Sequence, residues 1–155
     1  MNESKVTQVL DTIKQASNLY FKLVIIVAPS GRGKTRVLQE VSKEIGTSLI
    51  NVNLELSHLM LDLTTRQRML QLPQLLDEIV AKSTGDVVLL DNIELLFDTG
   101  LRLDPLALLK KISRNRPIIA TWNGVVEDNH LKYARQGHPE YGSYDLSDII
   151  VVSLG

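Results

Sequence analysis

The chain has 155 residues, enough for one domain with a sizeable core, and its 17 Lys and Arg nearly balance its 18 Asp and Glu for a net charge of -1. That balance weighs against a protein that neutralises nucleic acid over its whole surface and leaves room only for a local basic patch. The absence of cysteine excludes disulfides, thiolate metal sites and a cysteine nucleophile; with no apolar run near the ~18 residues of a membrane span, and no charged-then-apolar order in Met1-Asn2-Glu3-Ser4-Lys5, the expectation is a cytoplasmic domain.

The first predicted element is a helix over about residues 4–17, where Val6, Val9, Leu10 and Ile13 recur at helical spacing. The core is then expected over about 22–155. Leu23 to Val27 is a short continuous apolar run, the pattern of a strand buried on both faces. It leads into Ala28-Pro29-Ser30-Gly31-Arg32-Gly33-Lys34-Thr35, and a second helix follows with Val37, Leu38, Val41 and Ile45 on one face. Gly46 stands where that helix should stop. A second strand is expected over Leu49–Asn53. From Ser57 to Ala81 the pattern is helical, with a kink or a break expected at Pro73. Val87–Asp91 is a third strand, and Asp104-Pro105 opens a helix with a good N-cap and a proline at the first helical position. Pro117–Thr121 is a fourth strand. Val125 to Tyr144 shows no clear periodicity and is expected to be a long structured loop. Ile149–Val152 is the fifth strand. Strands alternating with amphipathic helices predict an α/β fold: a three-layer α/β/α core on a five-stranded, mainly parallel sheet. Sites in such sheets lie at the carboxyl ends of strands, here just after Val27, Asp91 and Thr121.

The segment after the first strand is close to the phosphate-loop consensus of Gly, four residues, then Gly-Lys-Ser/Thr, with Ala28 in place of the first glycine. Backbone N–H groups from Ser30 to Thr35 would converge on phosphate oxygens, and glycines let the loop close. The helix N-terminus adds favourable partial charge. The nucleotide-binding candidates are therefore Pro29, Ser30, Gly31, Arg32, Gly33, Lys34, Thr35 and Arg36, with Lys34 reaching the β- and γ-phosphates of ATP and the Thr35 hydroxyl holding Mg²⁺. The competing reading is an ordinary glycine-rich strand–helix turn; the strand, loop, helix and spacing together argue against it. Asp91 ends an apolar run as a magnesium-holding aspartate does, the alternative being a cap for the next short helix. The candidates for catalysis are Asp91, Glu94, Thr121 and Asn123. Asn92, directly after Asp91, cannot take a proton from water. Glu94 lies about one turn further on and approaches the site if that segment is helical; otherwise it is a surface residue. Thr121 ends the fourth strand and Asn123 follows just beyond it, where Asn123-Gly124 also reads as a turn. Arg114 and Arg116 are open to two readings, an arginine donated in trans to a neighbouring subunit or contacts with a helix end. In the first case ATP would promote assembly into a homo-oligomer. The histidines, His58, His130 and His138, show no metal-ligand spacing, and Trp122 reads as a packing residue.

Together these elements resemble a minimal P-loop ATPase of the AAA+-like division. The runs Asn51-Val52-Asn53-Leu54-Glu55-Leu56-Ser57, Asp86 to Glu94, Ser113-Arg114-Asn115-Arg116-Pro117 and Gly137-His138-Pro139-Glu140-Tyr141 resemble the BrxF family, the small P-loop proteins of bacterial type III BREX phage-defence systems. The resemblance implies ATP and Mg²⁺ as cofactors, ATP binding at Lys34, Thr35 and Asp91, and work with other BREX proteins on phage DNA, directly or through them. It also implies that the polar group at the fourth strand end helps orient the attacking water. Asn92 departs from the usual AAA+ acidic pair. The chain stops at Gly155 with no lid expected after the fifth strand, so the arginine a lid supplies is missing from its usual place. Two further functions compete: an ATP-bound adaptor that does not hydrolyse, and a small-molecule kinase, for which Leu95–Leu103 offers only Arg102.

Overall fold

The structure, a computed structural model, describes residues 2–135 and 137–154; Met1, Gln136 and Gly155 lie outside the described residues. The chain runs α1 (Asn2–Ala16), β1 (Leu23–Ala28), α2 (Lys34–Ile45), β2 (Leu49–Asn51), α3 (Val52–Leu59), α4 (Thr65–Ala81) and β3 (Val88–Asp91). Two 3₁₀ turns follow, Glu94–Phe97 and Thr99–Leu101, then α5 (Pro105–Ile112), β4 (Ile118–Glu127), β5 (His130–Tyr133), β6 (Gly142–Asp145) and β7 (Ile150–Ser153). The parallel strands lie in the order β2-β3-β4-β1-β7. No described helix is long and apolar enough to cross a membrane.

All six residues of β1 are buried. Successive side chains of a strand point to opposite faces, so an unbroken apolar run feeds two cores at once. Val24 and Ile26 pack with Val9 of α1, Val37 and Val41 of α2, Leu89 and Ile119. Leu23, Ile25 and Val27 pack on the other face with Leu56 of α3, Leu76 of α4, Leu109 of α5 and Trp122. The expected three layers are therefore present.

Three expectations are corrected. The second strand stops at Asn51 rather than Asn53, because the Asn51 side chain accepts from the Leu54 backbone N–H at 3.1 Å and opens α3 at Val52. The helical stretch breaks at residues 60–64, not at Pro73; Thr64 and Gln67 form a reciprocal capping box that starts α4, and α4 is one helix with Pro73 inside it. The expected loop over Val125–Tyr144 is largely sheet. β4 continues to Glu127, turns through Asp128 and Asn129, and pairs antiparallel with β5, which pairs with β6. Asp128 and Asn129 both have positive φ (53° and 60°), as a tight two-residue hairpin turn requires. Gly124 is required at the base of this hairpin, since a Cβ there would stand 1.8 Å from the Lys132 carbonyl oxygen. The sheet thus has seven strands, two more than expected.

Candidate active site

At the carboxyl ends of β1, β3 and β4 a cavity of about 290 Å³ is lined by loop residues Ser30, Gly31, Gly33, Lys34 and Thr35. Its opposite wall is formed by Asp91, Asn92, Glu94, Thr121 and Asn123. Gly31 (φ 81°) and Gly33 (φ 87°) adopt the left-handed backbone that L side chains resist, and this is why the loop needs them. No side chain caps the start of α2 at Gly33. The first N–H groups of the helix therefore face the cavity with the positive end of its dipole, an arrangement that suits an anion. Ala28 has an ordinary backbone: it is the buried last residue of β1, paired with Asn123. Glycine is not needed there, which explains the departure from the consensus.

Lys34 is buried at the first position of α2 and donates from Nζ to the carbonyls of Ala28 at 2.9 Å and Pro29 at 3.1 Å. Burial lowers its pKa, opposed by the nearby carboxylates of Glu94 and Asp91. The Asp91 carboxylate is shared between two hydroxyls. Thr35 Oγ1 donates to Oδ2 at 2.8 Å, and Thr121 Oγ1 donates to Oδ1 at 2.6 Å. Three elements remote in sequence, the start of α2 and the ends of β3 and β4, are thereby tied at one carboxylate. Thr121 is buried with its hydroxyl proton committed to Asp91, whereas Asn123 also lines the cavity and is partly exposed.

Glu94 begins the first 3₁₀ turn, so the segment curls as its approach to the site requires. Burial raises its pKa, and Asp91 raises it further; Lys34 and a hydrogen bond from Asn53 oppose the shift. Asn53 Nδ2 donates to Glu94 Oε1 at 3.2 Å, Asn53 Oδ1 accepts from the Leu95 N–H at 2.8 Å, and the Asn53 N–H donates to the Asn92 carbonyl at 2.8 Å. Asn92 itself sits in the left-handed region at φ 53°. Asn53 is thus the positioning residue for Glu94. Reading residues 49–53 as one strand hid this role; the signal was Asn51, a capping residue that turns the chain into a helix and carries Asn53 across to Glu94.

The donor set fits a magnesium nucleotide. Thr35 Oγ1 and the Asp91 carboxylate are hard oxygen ligands already adjacent. Among the described residues no group of three His, Cys, Asp or Glu side chains could cage a metal, so a cation here would complete its shell from phosphate and water oxygens. Arg32 and Arg36 are exposed and do not line the cavity. Arg116 is spent elsewhere. Its guanidinium donates to the carbonyls of Val80 at 2.7 Å, Ser83 at 2.6 Å and Gly85 at 2.8 Å, satisfying the end of α4 and the turn beyond it. Arg114 is exposed and lies over the Tyr20 ring at 3.8 Å. Trp122 is buried against Phe97, Tyr133 and Tyr144, a packing residue as expected.

A parallel α/β/α sheet with a glycine loop, a buried lysine and an acidic strand end at one edge defines a P-loop NTPase fold. The chain belongs to the AAA family, the ATPase family associated with various cellular activities, whose model matches residues 24–115, more than half of its length. The match takes in the loop, Asp91 and Glu94 but ends before Thr121 and Asn123. Among solved structures the chain is similar to a DNA replication initiation factor, with 16% identity and TM-score 0.49 over 95% of this chain and 45% of that one. It is similar also to PCH-2 of C. elegans (18%, TM-score 0.48, 99% and 42%) and to AMPPCP-bound DnaA from Aquifex aeolicus (15%, TM-score 0.46, 96% and 45%). The chain spans less than half the length of each of these. No curated protein is significantly similar in sequence.

Proposed function

We propose that the chain is one nucleotide-binding domain that binds ATP with Mg²⁺ and hydrolyses it to ADP and phosphate, slowly or on stimulation by partners. The observation that carries this reading is the Asp91 carboxylate joined to Thr35 and Thr121 beside Lys34. Ser30 to Thr35 would surround the phosphates with N–H donors, and Lys34 would exchange its carbonyl contacts for the β- and γ-oxygens. Thr35 and Asp91 would hold the magnesium, which when bound neutralises charge developing on the phosphates. Glu94, with its pKa raised by burial, is the general base. Asn123, partly exposed in the cavity, orients the water, while Thr121 fixes Asp91.

The runs shared with the BrxF family support a place in a bacterial BREX phage-defence assembly, alongside other BREX proteins and acting on DNA directly or through them. A second reading, an ATP-bound adaptor in the same assembly, is favoured by one observation: Asn92 stands where an acid would directly follow Asp91. Calorimetry tests the site. Lys34→Ala should abolish ATP binding with the fold intact, and retained affinity would overturn the assignment. Phosphate release, with and without DNA and partners, separates the two readings; a rate no higher than that of Asp91→Ala leaves the adaptor.

A further inference from the structure

A second cavity, of about 170 Å³, opens between the Phe97–Pro105 segment and the Pro139–Tyr144 segment and shares no lining residue with the nucleotide site. Its walls are aromatic, with Phe97, Tyr141 and Tyr144, and two carboxylates, Asp98 and Glu140, stand among them. A third, Asp104, is close enough to raise the pKa of Tyr144. Among the described residues none of these acids is in an ion pair; the pair found is Lys43 with Glu40. Asp98 Oδ1 accepts from the Gly100 N–H and Asp104 Oδ1 from the Ala107 N–H, while no hydrogen bond to the Glu140 carboxylate occurs among the described residues. Arg102 also lines the cavity, exposed and without an ion pair among the described residues, so the lining holds two carboxylates to one guanidinium.

We propose that this cavity receives an arginine side chain from a partner protein. Aromatic faces attract cations through their quadrupoles, and unpaired carboxylates supply the complementary charge. A planar guanidinium satisfies both at once, stacking on a ring and forking onto a carboxylate, which a compact ammonium does less well. Size points the same way: at about 170 Å³, against about 290 Å³ at the nucleotide site, the cavity suits a single long side chain. The occupant would also touch the turn that leads from the nucleotide site. Phe97 is the last residue of the turn that Glu94 begins, and it stacks on Tyr133 with ring centroids 3.5 Å apart. Docking therefore bears on the segment that carries Glu94; this link rests on the catalytic reading of Glu94, and the docking itself does not.

The test titrates the full chain, without nucleotide, with capped Gly-Arg-Gly and with the same peptide bearing citrulline or lysine, and follows amide and aromatic NMR signals. The arginine peptide should shift Phe97, Tyr141 and Tyr144 saturably. Citrulline, the neutral isostere, should bind about tenfold more weakly, the effect of roughly 1.4 kcal/mol of lost charge interaction. Glu140→Gln, on the surface turn, should weaken arginine binding without altering the remaining spectrum. Equal binding of citrulline, equal binding of lysine, shifts located away from these rings, or indifference to Glu140→Gln would each overturn the proposal.

Discussion

Replacing Arg116 by alanine asks whether this arginine serves the fold or a neighbour's nucleotide. In the structure its guanidinium holds three carbonyls, those of Val80, Ser83 and Gly85, at 2.6–2.8 Å. A hydrogen bond to a charged group contributes about 1.5–3 kcal/mol. The three do not add, since Arg116 is half-buried and water can take over carbonyls once the side chain is gone. A loss of about 3 kcal/mol is expected, most of it from the Val80, Ser83 and Gly85 carbonyls left without this donor. In urea, where a slope of about 2 kcal/mol per M is typical, the midpoint should fall by about 1.5 M with the slope unchanged. Arg116→Lys should recover less than half, because one ammonium cannot present a planar fork to three acceptors. Per folded molecule, ATP turnover should stay within about twofold, whereas an arginine that stabilises transition-state charge is worth about a thousandfold or more. A midpoint shift below about 0.3 M, or a turnover loss of that size, would refute the structural reading and restore the trans role.

Glu94→Gln should lower turnover by about a hundredfold or more while ATP affinity changes little, which calorimetry beside phosphate release would show. The same variant carries a pH signature. Because the folded state raises the Glu94 pKa above 4.5, the carboxyl's favourable contribution is present below that value and is lost as pH rises through the folded pKa. Glu94→Gln should therefore be more stable than the parent above the raised folded pKa, with the denaturation midpoints converging below 4.5; parallel curves would contradict the shift. Asn53→Ala removes a hydrogen bond that opposes this shift, so the acidic limb of the pH–rate profile should move upward, at a stability cost of about 1–2 kcal/mol for the lost contacts. Asp91→Ala leaves the buried Thr121 hydroxyl without its acceptor. It should cost about 1–3 kcal/mol and abolish any effect of Mg²⁺ on ATP affinity; a magnesium response that persists would remove Asp91 from the site.

Some of this was legible locally. The β1 run, the glycine loop and the α2 face each follow from short-range rules, because burial on both faces writes a continuous apolar strand and a positive φ writes a glycine. Lys34, Thr35 and Asp91 stood at the places that strand ends dictate. The hairpin of β4 and β5 was not legible, since Asp128-Asn129 is a weaker turn signal than Asn-Gly and the strands that flank it alternate poorly.

The sequence by itself determined a three-layer α/β fold and the place of a glycine loop between β1 and α2, since both depend on residue type at short spacing. What only the tertiary structure decided is which distant groups meet. Thr35 and Thr121 share Asp91 across three elements, Asn53 rather than a neighbour holds Glu94, and Arg116 is consumed by the end of α4. Such pairings span separations of 30 to 56 residues. Chain-local propensities contain no term for them; they arise only when the parallel strands fall into register and bring their carboxyl ends together.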